Sequence, residues 1–279
     1  MHNKIHPCIW CNNNAKEMAD YYCNTIPDTK IVGENAVVVM IDIEGQKLML
    51  LNGGDRFQPN PAISLMGVFK NPEDVKTLWN ELIKEGKALM ELDEYPFSKK
   101  YGWLEDKFGV SWQLYTGEDG GAKEKYVPTL MFVGANNGKA KEAIEFYTKI
   151  FPNSKVQGIM EYPEGGDDEP GNVQHAQFDI DGYTLMCMDS SYDHKFNFTE
   201  GVSLVVNCKD QAEIDHYWNT LTAGGAESMC GWLKDKYGVS WQIVPENLGR
   251  LIQSREAGEA LMKMKKINIA ELERAGEKS

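Results

Sequence analysis

Apolar positions along this chain change their spacing in a fixed order, and the order recurs. A short apolar stretch, Cys8 to Cys11, returns as Thr129 to Val133 and suits a strand. Behind the second of these, Ala143, Ile144, Tyr147, Ile150 and Phe151 follow at spacings of three and four, the stripe of an amphipathic helix. Two strands come next in each half, joined at Glu44-Gly45 or Asp181-Gly182, residue pairs that accept the positive φ of a tight hairpin. A further strand, Ile63 to Phe69 or Val202 to Cys208, leads into a second helix. Its stripe is Val75, Leu78, Trp79, Leu82 and Ile83 in one half and Ile214, Tyr217, Trp218 and Leu221 in the other, with Gly86 and Gly224-Gly225 as stop signals. More strands close each half at Trp-Gln. From Leu251 the pattern predicts one helix, a break near Asn268 and a short second helix, packing back on the rest.

The recurrence is an internal duplication. Gly102-Trp-Leu-Glu-Asp-Lys-Phe-Gly-Val-Ser-Trp-Gln113 reappears 129 positions later as Gly231-Trp-Leu-Lys-Asp-Lys-Tyr-Gly-Val-Ser-Trp-Gln242, with two of twelve residues changed. Pro7 matches Pro128, Ala15-Lys-Glu matches Ala140-Lys-Glu, Asp42-Ile-Glu-Gly45 matches Asp179-Ile-Asp-Gly182, and Trp79-Asn80 matches Trp218-Asn219. The expected class is α+β: helices on one face of a curved, mostly antiparallel sheet, with the other face concave. A polar, glycine-containing linker at 118–125 separates domains expected at 1–117 and 126–249, and 250–279 forms a helical tail.

Composition narrows the partners. Twenty-nine basic against 42 acidic residues give a net charge of −13 over 279 residues, a surface that repels phosphate backbones, so no nucleic-acid partner is expected. No stretch reaches the ~18 apolar residues of a membrane span, and the first residues lack a secretory core, so no membrane and a cytoplasmic location are expected. The six cysteines do not repeat between the halves, as a required disulfide or zinc knuckle would. Cys8-Ile-Trp-Cys11 lies in an expected strand, where side chains three apart face opposite ways.

The order of these elements, with the Asp-Gly hairpin, the Trp-Asn helix and the closing Gly-Trp-Leu-x-Asp-Lys-Phe/Tyr-Gly-Val-Ser-Trp-Gln, resembles the PhnB-like, or demethylubiquinone methyltransferase-like, branch of the vicinal oxygen chelate superfamily. Glyoxalase, bleomycin-resistance and extradiol dioxygenase proteins share that superfamily. The resemblance implies two tandem domains, each of two βαβββ modules, and a pairing of the halves as an intramolecular pseudo-dimer or of chains as a homodimer. It also implies metal-ligand positions that fall here on Pro7 and Pro128, near Ala62 and Gly201, and on Gln113 and Gln242. Proline, alanine and glycine side chains cannot ligate, and a neutral amide is a weak ligand, so no metal and no other cofactor are expected. His6, beside one such position, is expected on the opposite face. The methyltransferase in the branch's name would require a glycine-rich turn opening a helix, and the pairs Gly53-Gly54, Gly165-Gly166 and Gly224-Gly225 are isolated.

Strand alternation selects the candidate site. In the second half, His175, Gln177 and Asp179 share one face, where the first half has Val38, Met40 and Asp42. Ser64, Ser203, Gln113 and Gln242 are expected on the concave face by their place relative to the implied ligand positions, and Trp103 and Trp232 as pocket walls or core. Asp106 and Asp235 read as turn formers. The acidic segment Glu161 to Glu169 is an insertion of the second half, a solvated loop or a lid. Two functions follow as alternatives, beside the methyltransferase activity that the family name implies. One is metal-independent binding of a small molecule, mainly in the second half, as the bleomycin-resistance relatives imply by analogy. The other is an enzyme using His175 as acid or base with Asp179 and Gln242.

Overall fold

The computed structural model describes residues 4–117 and 123–277. Four modules of the same β-α-β-β-β order run along the chain. The first is β1 (Ile5–Cys11), α1 (Ala15–Thr25), β2 (Thr29–Glu34), β3 (Val38–Ile43) and β4 (Gln46–Asn52). The second is β5 (Ile63–Phe69), α2 (Pro72–Leu82), β6 (Lys87–Tyr95), β7 (Ser98–Glu105) and β8 (Ser111–Thr116). The third is β9 (Tyr126–Val133), α3 (Ala140–Ile150), β10 (Lys155–Glu161), β11 (Val173–Ile180) and β12 (Tyr183–Ser190). The fourth is β13 (Val202–Cys208), α4 (Gln211–Leu221), β14 (Ala226–Glu227), β15 (Trp232–Lys234) and β16 (Ser240–Pro245), followed by α5 (Leu248–Leu251), α6 (Arg255–Leu261) and α7 (Ile269–Gly276).

Two compact units form, Pro7–Val202 and Met1–His6 with Ser203–Ser279. In the larger unit an eight-stranded sheet runs β10-β11-β12-β9-β5-β8-β7-β6. Its centre is the antiparallel pair β9 and β5, so the second module of the first half and the first module of the second half share one sheet. Residues 118–122 of the expected linker lie outside the described residues. Its remaining end is docked: Glu124 accepts from the Thr184 amide at 3.1 Å, and Lys125 binds Glu44 at 2.7 Å. Five of the sheet's seven pairings are antiparallel; β12–β9 and β5–β8 are parallel, as first and last strands of one module. The first module adds strands in the order β1-β4-β3-β2 to the larger unit.

Helices cover one face. Met18, Ala19 and Tyr22 of α1 and Val75, Leu78 and Trp79 of α2 share a core with Ile9, Ile41, Leu50, Leu65, Leu104 and Trp112. Asn71 caps α2 by accepting from the Glu73 amide, with Pro72 at its first position. Both hairpins turn as the dipeptides dictate, with φ of 48° and 87° at Glu44-Gly45 and 46° and 73° at Asp181-Gly182. After α2 the left-handed residue is Glu85 rather than Gly86. Gly86 is needed for another reason: a Cβ there would stand 2.3 Å from the Glu105 carbonyl oxygen, so only glycine lets these backbones meet.

The repeated phrase folds around its aspartate. Asp106 Oδ1 accepts from the amides of Phe108 and Val110, and Oδ2 accepts from Trp112 Nε1 at 2.9 Å and Tyr22 Oη at 2.7 Å. Asp235 repeats the arrangement with Tyr237, Val239 and Trp241 Nε1. Both are buried, and desolvation pushes the Asp106 carboxyl above its ordinary range against these hydrogen bonds. They latch a turn to an indole.

In the smaller unit the strands run β14-β15-β16-β13. The tail packs back as expected. Cys230 and Gly231 amides donate to Met264 and Lys265 carbonyls, and the Gln211 side chain bridges Ile267 and Ile269 beside α4. Asn268 caps α7, which is why the sequence breaks there. Among the described residues no helix is long and apolar enough to cross a membrane.

Candidate functional site

The face of the eight-stranded sheet away from the helices is where the candidate residues meet. Register fixes the face without ambiguity. Leu65, in the helix-side core, pairs with Pro128 and with Trp112, so the alternate residues Ser64, Met66, Val127, Thr129 and Gln113 point the other way. One row crosses four strands as Gln177, Met186, Thr129 and Ser64, and another as Val127, Met66, Gln113, Trp103 and Met90. His175 and Asp179 flank Gln177 at two-residue spacing on β11. The face therefore gathers Ser64, Trp103 and Gln113 from the first half with His175, Gln177 and Asp179 from the second.

Curvature brings its flanks toward each other. Tyr101 and Trp103 on β7 pack in one cluster with Met131 and Val133 on β9, three strands away, a separation of about 14 Å in a flat sheet. Leu89, Met90, Tyr95, Tyr115, Met188 and Phe196 complete that cluster, and Met66, Val127 and Met186 form a smaller one beside it. The floor is thus rich in methionine, an adaptable side chain, and one wall is aromatic.

Polar groups occupy the two flanks. On one, Trp103 Nε1 donates to Ser111 Oγ at 2.8 Å, and Ser111 and Ser64 hydroxyls lie 2.9 Å apart. Tyr101 Oη donates to Gln113 Oε1 at 2.8 Å. On the other, Gln177 Nε2 donates to Gln157 Oε1, while Gln157 Nε2 and Thr184 Oγ1 both donate to Asp179 Oδ1. Asp179 is thereby committed to its own strand neighbours rather than to His175. His175 is half-buried, makes no side-chain hydrogen bond among the described residues, and is pushed below its ordinary value by desolvation. At neutral pH it is an uncharged imidazole.

Ser203, Trp232 and Gln242 do not join this face. They lie in the smaller unit, where Trp232 pairs with Gln242 and Gln242 Nε2 donates to Ser203 Oγ at 3.1 Å. The last strand of the fourth module, which carries Gln242, does not belong to the sheet that carries β11 and His175. Tyr101, Ser111, Thr129 and Gln157 were missed. The first two were within reach of simple alternation around Trp103 and Gln113; Gln157 stands on an edge strand whose register is broken by a bulge.

The face also tests the metal implied by the superfamily. Pro128 faces the helix-side core opposite Leu65, and Thr129 takes its place on the concave side, donating to the Val127 carbonyl. Pro7 shares the helix-side face of Ile9 and Cys11, which leaves His6 on the other face as alternation requires. Across the row of Gln177, Met186, Thr129 and Ser64 the donors are amide, thioether and hydroxyl groups, a set that does not suit a divalent ion. Among the described residues no three His, Cys, Asp or Glu side chains converge as a metal site would need. Nor do the glycine pairs suit a nucleotide cofactor: Gly53-Gly54 follows β4, Gly165-Gly166 lies between β10 and β11, and Gly224-Gly225 follows α4, so none opens a helix after a strand.

The insertion between β10 and β11 carries an internal anchor. Asp168 accepts from the amides of Glu169 and Ser191, and Tyr192 Oη donates to the Asp167 carbonyl. Desolvation raises the Asp168 carboxyl, but these backbone donors outweigh it and hold it below its ordinary range. The anchored partner segment leads to Phe196, which packs on the aromatic wall.

The family model described as 3-demethylubiquinone-9 3-methyltransferase matches the chain twice, over residues 3–115 and 124–244. A PhnB protein of Bacillus cereus is 31% identical over 41% of this chain and 100% of its own, with a TM-score of 0.39. Glyoxalase I of Zea mays, at 13% identity, aligns over 87% of this chain and 92% of its own with a TM-score of 0.57, a likeness of fold. No curated protein matches the chain.

Proposed function

The chain belongs to the 3-demethylubiquinone-9 3-methyltransferase family, within the vicinal oxygen chelate superfamily, and from that starting point we propose that it binds a small molecule without a metal ion on the concave face of its eight-stranded sheet. The observation that carries this reading is the meeting of Ser64, Trp103 and Gln113 with His175, Gln177 and Asp179 over a floor of Met66, Met131, Met186 and Met188. Apolar floor and few convergent polar groups are the ordinary make-up of a ligand pocket. The site draws on both halves of the duplication rather than on the second alone. The corresponding face of the smaller unit, with Ser203, Trp232 and Gln242, is the lesser candidate, because its amide is already turned onto Ser203.

A second reading, proton transfer by His175, has its own support: a neutral imidazole with both nitrogens unbonded among the described residues. It would act without Asp179 or Gln242 as a partner. Methyl transfer, which the family's description names, finds no supporting residue arrangement on this face.

Native mass spectrometry of gently prepared protein tests the binding reading. An adduct, or uptake of one from a small-molecule extract, is expected, and Met186→Trp, which fills the floor, is expected to abolish it. An adduct that survives Met186→Trp but is lost in Gln242→Leu would move the site to the smaller unit. If a bound compound turns over and His175→Gln stops the turnover while binding persists, the enzymatic reading replaces simple binding.

A further inference from the structure

We infer that the ligand of this face is an uncharged, flat, largely apolar molecule with one hydrogen-bond acceptor, and that Gln113 Nε2 is the donor that selects it; the inference rests on the concave face being the site. Gln113 is 2% exposed. Its Oε1 is occupied by Tyr101 Oη, while Nε2 has no hydrogen-bond partner among the described residues. Nε2 keeps solvent access, so it is an available donor rather than a sealed orphan. An acceptor atom arriving from the concave side keeps that donor bonded once water is displaced, whereas an apolar group would leave it unpaired at a cost of about 1–3 kcal/mol.

Charge excludes the alternatives. Strands β11, β12, β9, β5 and β8 carry no lysine or arginine. Those of the sheet stand on its outer strands: Lys87, Lys99 and Lys155 are exposed and Lys100 is half-buried. Lys87 is further engaged by Glu105. An anion on this face would thus meet neutral His175 and the carboxylates of Asp179 and Glu105, with no buried cation to offset its desolvation. A cation fares little better, since Glu105 is held by Lys87 and Asp179 already accepts from Gln157 and Thr184. What remains is shape. The indole of Trp103 and the rings of Tyr101, Tyr95, Tyr115 and Phe196 stand around thioether side chains, surfaces that stack on or mould to a planar apolar body.

Four naphthalene probes separate the terms. The neutral ketone 6-propionyl-2-(dimethylamino)naphthalene is flat and carries one acceptor, and its emission reports hydrogen bonding to the carbonyl. Titrated into the full-length protein, it is expected to bind at least ten-fold more tightly than 6-(dimethylamino)-2-naphthoate or the trimethylammonium analogue. It should also exceed the carbonyl-free 2-(dimethylamino)naphthalene by about ten-fold. Gln113→Leu is expected to erase that last advantage, so that the two neutral probes bind with equal affinity. Gln113→Met, of similar length but without the donor, gives the same ratio should the leucine variant melt early. Tighter binding of the naphthoate or the ammonium probe overturns the neutral class yet leaves the site in place. Equal loss of both neutral probes in the Gln113 variants overturns the donor role. Binding that Met186→Trp leaves untouched for every probe sinks the site itself, and a wild-type protein that binds none of the four overturns the inference.

Discussion

Replacing Asp106 with alanine should be among the most destabilising single changes in this chain, although its carboxylate bonds on the helix side and not on the helix-free face. The carboxylate takes four hydrogen bonds, and three of the donors are buried: Trp112 and Tyr22 at 0% exposure and Val110 at 1%. Each orphaned buried donor costs about 1–3 kcal/mol, a gross loss of roughly 3–9 kcal/mol. Two terms reduce it. Removing a carboxylate whose proton affinity is raised by desolvation returns some stability, and water can enter the gap. A net cost of about 3–5 kcal/mol is expected, comparable to other broken buried charge contacts. At ~2–4 °C per kcal/mol for a protein of this size, the melting midpoint should fall by roughly 10 °C. Asp106→Asn keeps one acceptor but sets an NH2 against the indole N–H, so it should lose about 1–3 kcal/mol. Urea unfolding followed by tryptophan fluorescence, with thermal melts beside it, reads both variants. A midpoint for Asp106→Ala within about 0.5 kcal/mol of the parent would refute the latch, and the repeated phrase would then need a functional explanation.

Three further outcomes are expected. Gly86→Ala should cost several times more than Gly158→Ala in a thermal melt, because its Cβ would stand 2.3 Å from the Glu105 carbonyl oxygen while nothing lies within 4 Å of the latter; equal shifts would mean that the loop relaxes freely. His175 is held below its ordinary value of about 6.5, so the unfolded chain takes up the proton first. Its contribution is present above that pH and is lost as the pH falls through and below it, and a melt series from pH 7.5 to 5 should be flatter for His175→Gln; identical slopes would remove the desolvation argument. Dialysis against a chelator should leave the melting midpoint unmoved, and plasma emission spectrometry should find no stoichiometric nickel, zinc or iron, whereas a one-to-one metal would overturn the reading of the donor set.

Much of the local structure could be read without coordinates, because local structure answers to local chemistry. Glu44-Gly45 and Asp181-Gly182 turn where they must, since few residue pairs tolerate two positive φ angles in succession. Strands β5 and β13 occupy the expected apolar stretches, and Asn268 breaks the tail because its side chain caps the next helix. Alternation likewise placed His175, Gln177 and Asp179 on one face. Where chain order is a poor guide is in deciding which strands become neighbours.

Duplication fixed four modules of one kind and the turn chemistry within each. It did not fix which modules share a sheet, since every βαβββ unit offers the same edge to the next and hydrogen bonds along a strand are indifferent to the copy that supplies them. Tertiary structure joined β5 to β9 across the boundary between the halves. That one pairing set Gln113 and Trp103 on the same concave face as His175 and left Gln242 elsewhere. It also turned the Gln113 amide oxygen onto the Tyr101 hydroxyl and left its nitrogen open to the concave side, a detail that no spacing along a chain encodes.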